Sequence, residues 1–275
     1  MELIDTATNT SLCLNCKAEV SSNFCPDCGQ RQMVKRLSLR EGWNDFWARI
    51  YGFDGLFLNT LRDLTIKPGL AAREFVNGNR VTYYGPVGYF FLMITLYLIV
   101  ASFLNIEIRD VMKLSSSVAA TNQPLAGSGQ DQFNAMILNM ISDNLKLFSF
   151  MIIPFQALMA MLFFRKSRFN FIEHSVVPLY VTGHAFWPSI IGLFLYRIQG
   201  PSTYQAMLGL ISIPLYVLAC LQFYNYQSRW KVFVKSLMAY ISAYFVFVIF
   251  FVVVIFIYVL SNPELLELLR PSNNR

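Results

Sequence analysis

Five runs of uncharged, largely apolar residues constrain this chain more than anything else in it: residues 86–104, 147–164, 175–196, 204–226 and 236–260. A helix needs about 20 such residues to cross the ~30 Å hydrocarbon layer of a bilayer. An unpaired backbone group inside that layer costs several kcal/mol, so a spanning segment is either helical or part of a closed barrel. No period-two alternation supports a barrel. The expected fold class is therefore an all-α polytopic membrane protein of about five transmembrane helices, preceded by a small cysteine-bearing N-terminal ribbon. Composition agrees: 55% of the residues are hydrophobic and 14% are charged, where soluble domains carry about a quarter charged residues.

Lys and Arg in short loops favour the cytoplasm. The loop after the second run holds Arg165, Lys166 and Arg168, and the loop before the fifth holds Arg229, Lys231 and Lys235. Arg62, Lys67, Arg73 and Arg80 precede the first run. The opposite loops are poorer, with Arg109 and Lys113 offset by Glu107, Asp110, Asp131 and Asp143, and a short turn holding Arg197. With an odd number of crossings every basic loop falls on one side, which predicts an internal N-terminus and an external C-terminus. The N-terminal residues are polar and cysteine-bearing, unlike a secretory signal.

The expected organisation has three parts. Residues 1–33 hold the ribbon behind a disordered lead, residues 34–84 are juxtamembrane amphipathic helices, and residues 85–275 carry the crossings with an external loop at 105–144. Ser38-x-x-Glu41 reads as a capping box, and Leu39, Trp43, Phe46, Trp47 and Ile50 follow at helical spacing. Phe57, Leu61 and Leu64 share a face of a second helix that stops at Pro68-Gly69. A third helix over 68–76 ends at Asn77-Gly78. These helices fit either the cytoplasmic interface or a hairpin packed on the membrane domain. The stretch 115–130 has too little apolar content to build a core.

Four of the five cysteines lie at Cys13-x2-Cys16-x8-Cys25-x2-Cys28, and the fifth, Cys220, sits in an apolar run as a packing residue. Two knuckles of this kind close a tetrahedral site suited to a structural Zn²⁺ ion. Pro26 stiffens one turn, and Gly29 permits a left-handed backbone. So short a segment has almost no core, so metal binding supplies its folding energy, about 10–16 kcal/mol in apparent terms. A reduced cytoplasmic location argues against paired disulfides. Four thiolates also suit an iron–sulfur cluster. A nucleic-acid ribbon is disfavoured, because Arg31, Lys35 and Arg36 are accounted for as positive-inside anchors.

Glu173 and His174 open the third run, and His184 lies near its middle between Pro178 and Pro188. Ionisable groups at membrane depth are functional candidates. Glu173 and His184 nevertheless lie ~16 Å apart along a helix axis, so they cannot share one metal or one proton without partners from other helices. Solvation or helix capping accounts for Glu173 and His174, and a neutral imidazole bonded to a neighbouring helix accounts for His184. The other reading makes His184 part of a ligand cavity. No span carries an Asp, Glu, Lys or Arg well inside it, and no Walker loop, Gly-x-Ser-x-Gly or His-Glu-x-x-His is present.

The chain resembles an uncharacterised bacterial family of zinc-ribbon membrane proteins, domain of unknown function 3667. Four features carry the resemblance. They are the Cys-x2-Cys pair followed by Phe24-Cys25-Pro26-Asp27-Cys28-Gly29-Gln30, and Thr60-Leu61-Arg62-Asp63-Leu64 leading to Pro68-Gly69. Gly78-x-Arg80-x-x-Tyr83 before Pro86, and Glu173-His174 with His184-Ala185-Phe186, complete the set. The resemblance implies an arrangement in a bacterial inner membrane and no activity. The function expected is a non-enzymatic membrane subunit or scaffold, set in lipid, whose ribbon and interfacial helices dock a protein partner or membrane complex. The alternative is a transporter or channel for a small neutral or lipidic solute, built around His184.

Overall fold

The computed structural model describes residues 11–31, 38, 56–108, 111, 129–199 and 201–262. The capping box at Ser38 and the apolar stripe that follows it lie outside the described residues, apart from Ser38 itself. A two-stranded antiparallel ladder opens the described chain, with β1 (Ser11–Leu12) on β2 (Glu19–Val20) and Ser11 opposite Val20. Helices follow: α1 (Leu56–Ile66), α2 (Pro68–Val76), α3 (Pro86–Phe103), α4 (Gly129–Asp143), α5 (Leu145–Phe163), α6 (Phe171–Gln199), α7 (Pro201–Phe223) and α8 (Arg229–Leu260).

Local chemistry sets several of these bounds. Proline opens both α2 and α3, where its missing N–H costs nothing. At the end of α2 the Gly78 N–H reaches the Phe75 carbonyl (3.1 Å) and the Asn79 N–H reaches the Glu74 carbonyl (3.0 Å), with Gly78 at φ +105°. This is a Schellman closure, which a glycine in the left-handed region makes without strain. Before α6, the Asn170 side chain accepts from the Glu173 N–H and the Glu173 carboxylate accepts from the Asn170 N–H, both at 2.8 Å. That reciprocal box satisfies donors that an uncapped helix end would leave bare.

Among the described residues, four helices, α3, α5, α6 and α8, are long and apolar enough to cross a membrane. The run at 204–226 lies mostly in α7, a helix of 23 residues in which Ile211–Phe223 is apolar. α6 is the central helix, with 67% of its spanning window buried against 11% for α8. α8 begins seven residues before the expected crossing, so Arg229, Lys231 and Lys235 ride on its first turns. Aromatic pairs join α3 to α6 through Tyr97 and Phe186, and α5 to α8 through Phe155 with Phe247 and Phe250.

α1 and α2 pack on this bundle, with α2 lying against both α6 and α7. Gly69 makes that approach possible. A Cβ there would land on the Ala219 carbonyl oxygen and lie 2.6 Å from Gln222 Cβ, and the Gly69 N–H donates to Gln222 Oε1 at 2.9 Å. These two helices thus pack on each other and on the helical body, an arrangement compatible with a place at the membrane interface.

Candidate functional site

The two knuckles of the cysteine module repeat one local design. Cys13 N–H donates to the Ala18 carbonyl (2.8 Å) and Lys17 N–H to the Cys13 carbonyl (3.1 Å). The second knuckle repeats this with Cys25 N–H to the Gln30 carbonyl (2.8 Å) and Gly29 N–H to the Cys25 carbonyl (2.9 Å). The residue after the second cysteine of each turn is left-handed, Lys17 at φ +64° and Gly29 at +71°. Each closed turn points its two thiols toward the other knuckle.

The four sulfur atoms lie within 4.8 Å of one another, with Cys13–Cys28 at 3.6 Å and Cys16–Cys25 at 3.5 Å. Those spacings are far beyond an S–S bond, and all four cysteines are free. They approach the ~3.8 Å edge of a tetrahedron with sulfur ~2.3 Å from a central ion. Burial pushes the Cys13 thiol up, but the backbone N–H groups of Cys16 and Asn15, with the Cys28 and Cys16 thiols, outweigh it and draw it down to about 6. The Ala18 N–H lowers Cys16, yet burial and the other three thiols push it up to about 12. So crowded a set cannot ionise together unless a cation shares the site. The residues fit a metal ion, held by Cys13, Cys16, Cys25 and Cys28, with all four positions taken by protein. N–H groups aimed at Cys13 and Cys16 orient those ligands from behind.

The module rests on the helical body. Gln30 is buried, and its Nε2 donates to the Gly78 carbonyl at 3.0 Å. Thr82 Oγ1 donates to Asn15 Oδ1 at 2.8 Å. Beneath these contacts the buried Tyr83 hydroxyl lies 3.1 Å from Asp63 Oδ2 and 3.0 Å from Glu74 Oε2. Burial, then the two carboxylates, push that phenol up. Asp63 is held below the ordinary carboxylate range: burial raises it, but the Arg62 and Tyr83 hydrogen bonds and the Lys67 and Arg62 charges prevail. Tyr84 N–H donates to Thr60 Oγ1 at 2.8 Å, and Tyr180 Oη donates to the Tyr84 carbonyl at 2.6 Å.

Glu173, His174 and His184 do not converge. Glu173 is the capping carboxylate of α6. His174 is buried, with Nδ1 2.6 Å from the Tyr224 hydroxyl on the segment after α7 and Nε2 3.3 Å from Ser167 Oγ. Tyr224 stacks on Phe164 with centroids 3.9 Å apart, which ties the end of α5 to the same knot. His184 is also buried, with Nδ1 2.9 Å from the Tyr89 hydroxyl and Nε2 3.2 Å from Thr65 Oγ1. Gly183 lets α3 come close enough for this, since a Cβ there would lie 2.9 Å from Phe90 Cα. Each imidazole thus has a hydroxyl on either nitrogen, and each joins elements distant in sequence. Cys220 is fully buried in the core between α7 and its neighbours.

Nothing along the sequence marks Thr65, Tyr89, Ser167 or Tyr224 as histidine partners, or Asn15 and Gln30 as contacts to the body. One signal was available: Asn170-x-x-Glu173 is a box pattern ahead of an apolar run. The model of a family described as protein of unknown function (DUF3667) matches residues 54–98. That stretch takes in α1, α2 and most of α3, with the Thr60–Leu64, Pro68-Gly69 and Gly78–Tyr83 features; the cysteine module and the histidines lie outside it. No curated protein and no solved structure matches the chain. The similarity is therefore to an uncharacterised family, over the segment that links the module to the bundle.

Proposed function

We propose that this chain is a non-enzymatic scaffold of a bacterial inner membrane, with a cytoplasmic N-terminus, five crossings and a zinc ion held by Cys13, Cys16, Cys25 and Cys28. The ion supplies folding energy to the module and has no open position for substrate. The observation that carries the reading is a closed four-cysteine site fastened to the outside of a helical body. There it displays Leu12, Leu14 and Phe24, which are 64%, 44% and 58% exposed, apolar surface that a protein partner would take out of water. The rival reading, a solute path at His184, is weakened because both ring nitrogens already have hydroxyl partners from the same chain.

Affinity purification from gentle detergent tests the proposal, with the unaltered chain compared with Cys28→Ser. A partner that co-purifies stoichiometrically with the first and is lost from the second is the expected result. A protein that runs as a lone monomer, or a partner retained equally by the variant, would overturn it. Labelling of an engineered N-terminal tag from outside intact cells would overturn the orientation.

A further inference from the structure

Among the described residues, two hydrogen bonds fasten the cysteine module to the helical body, and each comes from a different knuckle. Asn15 lies between Cys13 and Cys16 and accepts from Thr82 Oγ1 (2.8 Å); Gln30 follows Cys28-Gly29 and donates to the Gly78 carbonyl (3.0 Å). The backbone bonds of each knuckle close within that knuckle, at Cys13–Ala18 and Lys17–Cys13 in one and Cys25–Gln30 and Gly29–Cys25 in the other. Between the two run the thiol contacts Cys13–Cys28 and Cys16–Cys25, with Val20 packed beside Cys13 and Cys25. The separation of Asn15 from Gln30 is therefore set at the metal position.

The segment they grip, residues 77–85, is the connection between α2 and α3. On its other side Tyr83 meets Asp63 of α1 and Glu74 of α2, the Tyr84 N–H meets Thr60, and the Tyr84 carbonyl meets Tyr180 of α6. α1 continues to Thr65, whose hydroxyl contacts His184.

We infer that residues 77–85 form a metal-dependent strap. While one ion clamps both knuckles, Asn15 and Gln30 together hold the strap against α1, α2 and α6. When the ion is lost the knuckles part, the two-point grip fails, and the strap loosens while the helices it connects stay folded. Gln30 is the more sensitive contact: it is buried at 3% exposure and its amide faces two carbonyls, Arg31 at 3.2 Å and Gly78 at 3.0 Å. The inference rests on the proposed metal site and is independent of any partner.

Hydrogen exchange on the full-length protein in detergent reads the strap through the Gly78, Asn79 and Tyr84 amides, whose acceptors are Phe75, Glu74 and Thr60. The purified protein is first assayed for bound zinc; a chain without metal overturns both the proposed site and the strap. Chelation of the zinc should then speed exchange in a peptide spanning 77–85 roughly tenfold, the effect of losing two net hydrogen bonds of ordinary strength. Exchange within α6 should not change, and adding zinc back should restore protection. Asn15→Ala combined with Gln30→Glu provides a second arm in which no chelator is added. It keeps the ligands and turns the Gln30 contact repulsive, so it should retain zinc and still loosen 77–85. A zinc-loaded protein whose strap is unchanged by chelation overturns the inference, as does a zinc-retaining variant with full protection.

Discussion

The cysteine module and the helical bundle are cohesive for opposite reasons. In the module, the buried apolar cluster is Cys13, Val20 and Cys25, so two of its three members are thiols that face the metal position. In the bundle, the buried cluster runs from Leu64 through Tyr89, Tyr180 and Val232, and its polar groups are tied by tyrosine hydroxyls: Tyr83 to Asp63 and Glu74, Tyr89 to His184, Tyr180 to the Tyr84 carbonyl, Tyr224 to His174. A tyrosine buries a large ring and brings one polar handle. With the proposed ion in place, one end of this molecule depends on a metal and the other on shape and internal hydrogen bonds, so each should fail without the other.

The widest separation comes from the metal. Cys28→Ser, or exhaustive chelation, removes binding energy of about 10–16 kcal/mol in apparent terms. The module should lose zinc and become protease-sensitive near residues 11–31, while far-ultraviolet circular dichroism of the helices stays within a few per cent. Collapse of helical signal on chelation would mean that the bundle, too, depends on the ion, and the comparison would break.

The converse experiment strikes the bundle alone. Gly69→Ala sets a methyl group against the Ala219 carbonyl and Gln222 Cβ, atoms on or next to the α7 backbone that cannot swing away. Overpacking costs about 1–3 kcal/mol, and this site should fall at the upper end. A drop in thermal midpoint with zinc content unchanged is expected. An unchanged midpoint would mean that α2 does not seat on α7 as described. A smaller effect follows for Tyr89→Phe, which strips the hydroxyl from His184 Nδ1 and leaves Thr65 on the other nitrogen. Side-chain hydrogen bonds between membrane helices average ~0.6 kcal/mol and reach ~1.7. The loss should therefore be visible as a small midpoint shift and should leave metal content untouched. A shift several times larger would indicate that His184 does more than join α3 to α6.

The sequence carried the local part of this architecture and lost the long-range part. Apolar runs of spanning length place helices from Pro86 and over most of 145–163, 171–199 and 229–260, because the bilayer limits both length and charge. Pro68-Gly69 and Asn77-Gly78 mark the ends of α2, since ring closure and a left-handed residue act within one turn. Cysteine spacing marks the metal site for the same reason. What periodicity cannot encode is which distant residue meets which. Thr65 and Tyr89 lie 119 and 95 positions from His184, and no pattern along either helix announces them. Gly69 reads as a helix stop, although its lack of a Cβ also serves to admit α7. Lys17 was invisible as a left-handed residue, because lysine does not advertise that conformation as glycine does.

That last pair gives the finest test of how far the module leans on its ion. Lys17 and Gly29 occupy equivalent positions in the two knuckles at nearly equal φ, +64° and +71°. A Cβ at Gly29 would meet nothing within 4 Å, so Gly29→Ala probes backbone strain with no steric contribution. The left-handed region costs an L-residue about 1–2 kcal/mol, and the freedom that alanine removes from the unfolded chain offsets about 0.5–1 kcal/mol of it, so zinc affinity of the whole protein should fall about threefold, read by competition with a chelator. Lys17→Gly relieves the same strain in the first knuckle, but glycine also gains freedom in the unfolded chain, worth about 0.5–1 kcal/mol, and the Lys17 Nζ contact to the Leu14 carbonyl (3.3 Å) is lost. The two effects oppose, and affinity should rise no more than about threefold. If both substitutions weaken binding equally, the knuckles are not equivalent and Lys17 holds its turn through its side chain. If neither changes affinity, closure of these turns contributes nothing to holding the ion, and the thiols alone account for the cohesion of the module.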